Sequence, residues 1–168
     1  AADEESRVQS GVLQNPGQHG GGGGLAMGAG HSEHPFPVQD VLGAARIDLV
    51  CLAGFMRVLT PWFVAQWQDR MLNIHPALLP SYRGLHTHER ALADGVKLHG
   101  ATVHFVVPEM DAGPIILQAA VPVLDDDTPD ALAARVLGEE HKIYPAALAL
   151  VADEKVVVKG NRVLARRG

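Results

Sequence analysis

Asn73 and His75 place an amide and an imidazole two residues apart, near the end of a short apolar run. Residues two apart on a strand project from the same face, so both side chains can reach one reacting atom. An Asn amide donates hydrogen bonds to a developing oxyanion, and a His stabilises that charge or transfers a proton. The pair therefore suits chemistry at a carbonyl carbon. The alternative is structural, with Asn73 tightening a turn and His75 capping a strand.

A third candidate, Asp111, stands in a loop between two apolar segments, next to Ala112 and Gly113. Glycine permits a close backbone approach, which suits a loop that lines a site. An aspartate that only shapes a turn is the structural alternative. From the residue types alone, the plain turn is the simpler interpretation.

Apolar and polar residues alternate along the chain in a way that predicts an α/β fold. Helices are predicted at residues 38–45, from the Thr60-Pro61 start, at 89–93, and from Pro129 to about His141. Strands are predicted at residues 47–53, 70–74, 98–107 and 115–123, followed by a hairpin with strands 156–158 and 162–164. Ligands of open α/β sheets gather beyond the carboxyl ends of strands, where residues 54–59 are placed.

The composition fits one globular domain without a nucleic-acid or membrane partner. The chain has 168 residues, of which 47% are hydrophobic, and a formal net charge of −5. That charge argues against a nucleic-acid surface, and no apolar stretch is long enough to span a bilayer. Cys51 is the only cysteine, which predicts a buried thiol in a reduced compartment rather than a disulfide framework. We therefore expect a cytoplasmic location, or a plastid if the source is photosynthetic.

Residues 1–35 are predicted to be a flexible acidic and glycine-rich segment, and residues 36–168 the folded domain. The five successive glycines at 20–24 lack the strand and the helix that must flank a phosphate-cradling loop, which is the functional alternative. The start at Ala1 rather than Met favours a processed or incomplete chain.

Two groups of possible metal ligands have simpler interpretations. His86 and His88, with His99 and His104 farther along the chain, invite a metal interpretation, but His86 and His88 have no nearby Cys or acidic partner at a recognised zinc spacing. The acidic run at 125–127 precedes Thr128 and favours a solvated turn and a helix cap over a magnesium site. We expect no metal.

Five motifs in order resemble those of the glycinamide ribonucleotide (GAR) formyltransferase family, the folate-dependent enzymes of purine synthesis. They are residues 52–59 (LAGFMRVL), 72–88 (LNIHPALLPSYRGLHTH), 100–107, 110–114 (MDAGP) and 140–145. The resemblance covers residues 36–152 and implies a Rossmann-like formyltransferase fold with a mostly parallel sheet flanked by helices. It departs at the amino terminus, where we find no opening strand and Gly/Asn/Ser loop for the ribonucleotide phosphate. The expected fold is therefore incomplete there, and Ala112 stands where the family has glycine.

The resemblance implies transfer of the formyl group of 10-formyltetrahydrofolate, a co-substrate, to the amine of glycinamide ribonucleotide. The amine would attack the formyl carbon, and Asn73 and His75 would stabilise the oxyanion of the tetrahedral intermediate. His75 would also protonate the leaving nitrogen. Asp111 would favour the charged imidazole and accept the proton that the amine loses, directly or through water.

The same resemblance assigns the remaining site residues. It implies that the chain binds the folate through Met56, Arg57, Val58, Leu59, Asn73, Val107, Pro108, Glu109, Met110 and Asp111. It implies that Glu140 contacts the ribose of the amine substrate. The structural alternative for residues 56–59 is a core strand that continues into a turn, with Arg57 exposed to solvent. The alternative for Glu140 is a plain surface glutamate. The four histidines are implied to support the fold rather than the reaction.

Two other enzyme families use the same donor and share the Asn-x-His and downstream Asp, namely methionyl-tRNA formyltransferases and formyltetrahydrofolate hydrolases. Residues 84–88 (GLHTH) resemble the glycinamide family and differ from those two. A catalytically impaired folate-binding fragment is the alternative outside the enzyme class. The expected partners are small molecules, and the expected assembly is a monomer or homodimer.

Overall fold

The computed structural model describes residues 10–13 and 37–166. The strands are β1 (Ser10–Leu13), β2 (Leu49–Leu52), β3 (Met71–His75), β4 (Leu98–Phe105), β5 (Ile115–Pro122), β6 (Val156–Lys159) and β7 (Arg162–Ala165). The helices are α1 (Pro37–Ala44), α2 (Pro61–Gln66), α3 (Thr87–Ala93) and α4 (Pro129–Ala152). Every helix and strand predicted from the sequence is present, and the ends differ from the predicted ones by at most two residues except at the carboxyl end of α4. None of the helices in the described part of the chain combines the length and apolarity needed to cross a bilayer.

All seven strands form one sheet in the order β1-β2-β3-β4-β5-β7-β6. The pairs β1–β2, β2–β3 and β5–β7 are parallel, and the pairs β3–β4, β4–β5 and β6–β7 are antiparallel. The predicted α/β class with flanking helices is confirmed, but the sheet is mixed rather than mostly parallel. Residues 106–114 alone join β4 to β5, which is too short for the crossover that parallel strands require.

Strand β1 lies in the opening segment, where the sequence predicted no strand. It pairs in parallel with β2, with Gly11 opposite Val50 and Leu13 opposite Leu52. Ser10–Leu13 are therefore an exception to the prediction of a flexible segment at residues 1–35. The rest of that prediction, including the glycine run and the missing phosphate loop, falls on residues 1–9 and 14–35, outside the described part.

Strand β3 contributes to two buried clusters on opposite faces of the sheet. Leu72 and Ile74 belong to the larger cluster, which α4 covers, and Met71 belongs to the smaller one, which α2 covers. Because side chains alternate along a strand, Asn73 and His75 project from the same face as Met71. The free thiol of Cys51 is buried in β2, as the sequence predicted, and burial raises its pKa.

Helix α4 was predicted to end at about His141, but it continues to Ala152 with Pro145 inside it. A proline in a helix interior removes one hydrogen bond and usually ends the helix. Tertiary contacts outweigh that cost here. The Tyr144 hydroxyl donates to the backbone carbonyl of Leu52 at 2.7 Å, and Ala147 is fully buried against the sheet.

The two predicted helix starts have the expected caps. Thr60 Oγ1 accepts from the Phe63 amide and Thr128 Oγ1 from the Ala131 amide, both at 3.2 Å. In the acidic run before Thr128, Asp127 forms two hydrogen bonds to the Arg135 guanidinium, at 2.7 and 2.8 Å. These bonds lower the pKa of Asp127 to about 2. The run thus fastens the end of β5 to α4.

Substituting Gly100 by alanine is expected to destabilise the fold by about 2–3 kcal/mol or more. A Cβ atom at Gly100 would run into the backbone carbonyl of Ala119 on the neighbouring strand β5, which cannot move without breaking the β4–β5 pairing. Urea unfolding followed by circular dichroism measures this loss. Gly138→Ala on α4 is the control, because a Cβ there meets nothing within 4 Å. Equal stability of the two variants would contradict the close approach.

Candidate active site

The carboxyl end of β3 and the loop after β4 bring Asn73, His75 and Asp111 together. Asn73 is half-buried and His75 is 5% exposed, so the amide is the more accessible of the two strand residues. Asp111 lies in the loop between β4 and β5, and its Oδ2 is 3.5 Å from Nδ1 of His75. The structure therefore unites the three residues that the sequence singled out.

The Asp111 carboxylate is fixed by the backbone around it. Gly84 donates its amide to Oδ2 of Asp111 at 2.8 Å, which ties the β3–α3 loop to the β4–β5 loop. Asp111 has a φ of +49°, and Tyr82 and His86 in the facing loop have φ of +56° and +55°. Left-handed backbone at non-glycine residues costs free energy and tends to cluster at functional sites. This strain is consistent with loops shaped to aim polar groups inward.

Both ring nitrogens of His75 face oxygen acceptors. Nε2 is 2.9 Å from the backbone carbonyl of Tyr82, to which it must donate, and Nδ1 faces Asp111. A neutral imidazole donates from one nitrogen only, whereas an imidazolium donates from both. Donation to both acceptors at once would therefore require a proton on each ring nitrogen.

His104 on β4 is not among the predicted site residues. It nevertheless lies close to two members of the triad formed by Asn73, His75 and Asp111. It lies opposite Asn73 in the β3–β4 register, and its Nε2 is 3.4 Å from Nδ2 of Asn73 and 3.8 Å from Oδ1 of Asp111. Burial lowers the pKa of His104, and its Nδ1 donates to the Phe105 carbonyl at 2.8 Å. The ring is therefore neutral, and its bare Nε2 accepts from Asn73 rather than forming an ion pair with Asp111.

This contact orients the Asn73 amide. One N–H of Nδ2 points to His104, which leaves the second N–H for a substrate oxygen. The sequence held a signal for this role, because an antiparallel pairing of the strands at 70–74 and 98–107 can place His104 across from Asn73. Because the sheet was predicted to be mostly parallel, this antiparallel pairing was not considered.

Polar side chains on β4 and β5 hold the loop that follows His75. Thr102 Oγ1 donates to the Ala77 carbonyl at 2.7 Å and accepts from the Leu79 amide at 3.1 Å. Gln118 on β5 donates to the Leu79 carbonyl at 2.9 Å. Through these bonds the sheet fixes the start of the loop that carries the Tyr82 carbonyl.

The residues expected to bind folate lie around this centre but do not all meet in one cleft. Val107, Pro108 and Glu109 line a cleft of ≈560 Å³ together with Val64 of α2. The stretch that contains Met56, Arg57, Val58 and Leu59 follows β2 and lines neither this cleft nor a second one of ≈300 Å³ beside Asp111.

A shared buried cluster connects the 56–59 stretch with the β4–β5 loop. Leu59 packs on the same buried cluster as Val106, at the base of that loop. Met56, Val58 and Met110 are exposed, at 66%, 80% and 59%. Exposed apolar side chains of this size next to polar groups are typical of a surface that binds a ligand ring. Arg57 is exposed, which also fits the alternative in which it is a solvated charge in a turn.

Glu140 is half-buried on α4, one helical turn before Tyr144. Residues four apart share a helix face. The Tyr144 hydroxyl reaches the carbonyls of Leu52 and Leu72, so Glu140 lies on the face that is turned toward β2 and β3. Burial raises the pKa of the Glu140 carboxyl, although the nearby His141 lowers it. A carboxyl in this environment is unusual for a plain surface position.

The histidines considered as metal ligands do not converge on one point. His86 is exposed and faces Glu89 at 3.5 Å, while His88 and His99 pack edge to face with ring centroids 5.2 Å apart. Within residues 37–166, no three His, Cys, Asp or Glu side chains are arranged to hold a metal ion.

Acidification is expected to destabilise the fold through His99. This side chain is 1% exposed, neither ring nitrogen has a hydrogen-bond partner among the described residues, and burial lowers its pKa to about 4. In the unfolded chain it takes up a proton near pH 6.5, so the stabilising contribution is present above that pH and is lost toward pH 4. Between pH 7 and 5 we expect a loss of about 2 kcal/mol in the free energy of unfolding. Urea titrations at both pH values measure it, and an unchanged pH dependence in His99→Leu would contradict the assignment.

Comparison with known proteins places this arrangement in a family. The family model described as "Formyl transferase" matches residues 26–148, well over half of the chain. The chain belongs to the formyl transferase family. Phosphoribosylglycinamide formyltransferase of Escherichia coli is 53% identical over 114 residues, which cover 68% of this chain and 54% of the bacterial protein. The human trifunctional purine biosynthetic protein adenosine-3 is 56% identical over 121 residues, covering 72% of this chain and 12% of that protein.

Solved structures of related proteins share the fold of this chain. The phosphoribosylglycinamide formyltransferase from Anaplasma phagocytophilum superposes with a TM-score of 0.75 at 47% identity, covering 77% of this chain and 64% of the other. A formyltetrahydrofolate deformylase from Pseudomonas syringae gives a TM-score of 0.74 at 32% identity, covering 77% and 44%. The predicted formyltransferase fold is thereby confirmed. This chain spans about half the length of its bacterial relative from Escherichia coli.

Proposed function

We propose that the protein transfers a formyl group from 10-formyltetrahydrofolate to the amine of 5-phosphoribosylglycinamide, a step of purine (IMP) biosynthesis. The observation that carries the proposal is the cluster of Asn73, His75 and Asp111 at one end of the sheet. Relatives about half identical to this chain are named for this reaction. The proposed setting is a monomer or homodimer in the cytoplasm, and the buried free thiol of Cys51 supports a reduced compartment.

The site residues divide the reaction between them. The primary amine forms a bond to the formyl carbon, and the carbonyl oxygen becomes an oxyanion to which the free N–H of Asn73 donates. The bond from that carbon to the folate nitrogen then breaks, and His75 supplies the proton that the leaving nitrogen needs. Asp111 takes the proton that the amine loses, directly or through water. His75 already donates to the Tyr82 carbonyl, so it must exchange this partner, or Asp111, for the substrate.

The donor is proposed to lie along the apolar surface beside this centre. Met56, Val58 and Met110 present exposed apolar side chains, and Val107, Pro108 and Glu109 line the adjoining cleft. Aromatic ring systems bind such surfaces by burial of apolar area, with backbone groups supplying specificity. Arg57, Leu59, Asn73 and Asp111 complete the proposed folate site.

Glu140 is proposed to hydrogen-bond the ribose of the amine substrate. Its partial burial and its position on the inward face of α4 support this role. A carboxylate accepts hydrogen bonds from two vicinal hydroxyls without needing a metal.

A hydrolase is the second candidate, because a formyltetrahydrofolate deformylase shares the fold at 32% identity. Water would then replace the amine as the nucleophile. Formyl transfer to methionyl-tRNA and folate binding without turnover are two further candidates. These four functions differ in where the formyl carbon goes.

The test supplies donor labelled in the formyl carbon together with 5-phosphoribosylglycinamide, and separately with methionyl-tRNA or with no acceptor. Label in the ribonucleotide, absent with His75→Ala, is the expected result. Label in formate alone would favour the hydrolase, and label in the tRNA would favour the tRNA enzyme. A folded chain that binds donor and releases no label would overturn the transferase and favour a folate-binding fragment.

A further inference from the structure

We propose that the cleft of ≈300 Å³ beside Asp111 is a subsite for an oxyanion, carboxylate or phosphate, carried by one of the two reactants. Arg83, Asn161 and Arg162 are among the residues that line it. The inference rests on the proposed function, because it assigns the anion to a substrate of that reaction.

Two guanidinium groups in this cleft are not used by the fold. Lysine and arginine salt bridges in the described part of the chain involve Lys97, Arg135, Lys142, Lys155 and Arg166. Within the same residues, the side chains of Arg83 and Arg162 have no hydrogen-bond or ion-pair partner. A guanidinium offers a planar fork of donors that matches a carboxylate or phosphate in two parallel bonds. Two such forks in one cleft, in a chain of net charge −5, favour an anionic ligand.

The backbone around Arg83 is held at three successive residues. The Tyr82 carbonyl accepts from His75 at 2.9 Å, and the Arg83 carbonyl accepts from Nη1 of Arg90 at 2.7 Å. The Gly84 amide then donates to Asp111 at 2.8 Å. The backbone at the base of the Arg83 side chain is thus held by His75, Arg90 and Asp111. Preorganisation of this kind reduces the entropy that a side chain loses on binding a ligand.

Arg162 lines the same cleft from the β6–β7 hairpin. It is the first residue of β7, and it lies opposite Ile115, the first residue of β5. Ile115 directly follows the loop that carries Asp111, so Arg162 is positioned by the sheet itself. Asn161, in the preceding turn, adds an amide to the same wall.

Asp111 also lines the cleft, and its carboxylate gives the site a direction. It repels an anion, whereas Arg83 and Arg162 attract one, so a charged group binds at the arginines and away from the reacting carbon. A reactant held in this way reaches the triad with an uncharged part. Both proposed reactants fit that description, since the folate carries glutamate carboxylates and the ribonucleotide carries a phosphate.

Calorimetric binding of two unreactive probes tests the subsite and identifies the anion. Tetrahydropteroyltriglutamate represents the folate tail, and ribose 5-phosphate represents the ribonucleotide. Arg83→Ala and Arg162→Ala are each expected to weaken one probe at least tenfold, as expected for a lost charge-assisted hydrogen bond. Arg162→Lys is expected to recover only part of the loss, because an ammonium lacks the fork.

Lys97→Ala is the charge-matched control, because Lys97 pairs with Asp125 at 2.8 Å and lines neither cleft. It is expected to bind both probes within twofold of wild type. The proposal is overturned if wild type binds neither probe, if neither arginine variant weakens either probe, or if Lys97→Ala weakens them equally. If an arginine variant loses tenfold in probe affinity while wild type shows no formyl transfer, the subsite stands and the proposed reaction is rejected. The two outcomes are separable because the binding measurements need no turnover.

Discussion

Asn73→Ala is expected to lower kcat for formyl transfer by about 10²–10³-fold while the Kd of the folate donor stays within a few-fold of wild type. The Asn73 amide has one N–H on Nε2 of His104, at 3.4 Å, and a second available to an oxyanion. That hydrogen bond strengthens as negative charge develops on the carbonyl oxygen. Its loss therefore raises the barrier to reaction more than it weakens the bound ground state.

The measurement is single-turnover transfer with saturating donor, accompanied by donor binding at equilibrium. Gln66→Ala is the matched control, because it removes an exposed amide on α2. A large loss of donor affinity with an unchanged rate constant in Asn73→Ala would mean that Asn73 binds the folate rather than the oxyanion. A wild-type rate would remove Asn73 from the mechanism.

Asp111→Asn is expected to lower kcat by about 10²–10⁴-fold, the range for loss of a group that transfers a proton. The amide oxygen of asparagine can still accept from Gly84, so the two loops remain tied together. The negative charge that faces His75 at 3.5 Å is lost, and with it the acceptor for the proton of the amine. The substitution thus separates the charge of Asp111 from its structural bond.

Asp111→Ala removes both functions, and it is expected to loosen the β3–α3 loop in addition to stopping transfer. Hydrogen exchange at the Gly84 amide, compared among wild type, Asp111→Asn and Asp111→Ala, measures the structural part. Asp126→Asn, at an exposed carboxylate before α4, controls for the change in net charge. Near-normal turnover in Asp111→Asn would show that the carboxylate serves only to hold the loop.

The sequence predicted much of the fold because its local signals agree with the tertiary contacts. Thr60 and Thr128 cap the helices that they were expected to start, and β2 is buried as its apolar run indicated. Helix α4 is the exception, because Pro145 is a strong local signal to stop. The hydrogen bond from Tyr144 to Leu52, 92 residues away in sequence, outweighs it and cannot be read from the local pattern.

The sequence predicted which candidate residues could meet, but it did not predict the contacts around them. Asn73 and His75 follow from strand periodicity. The role of His104 depends on β3 and β4 being antiparallel, which the connection between them does not reveal. The Tyr82 carbonyl, which fixes the donor role of His75 Nε2, is a backbone atom held by a left-handed φ at that residue. The Tyr82 contact has no signature in residue type, and the His104 contact has one only once the antiparallel pairing is known.

The most direct test of a single reacting centre is the single-turnover rate constant in four proteins: wild type, Asn73→Ala, Asp111→Asn and the double variant. Groups that act as one unit on one carbonyl carbon give losses that do not add. We expect the double variant to be about as slow as the slower single variant. Additive losses in free energy, or wild-type rates in either single variant, would contradict a centre built from Asn73, His75 and Asp111.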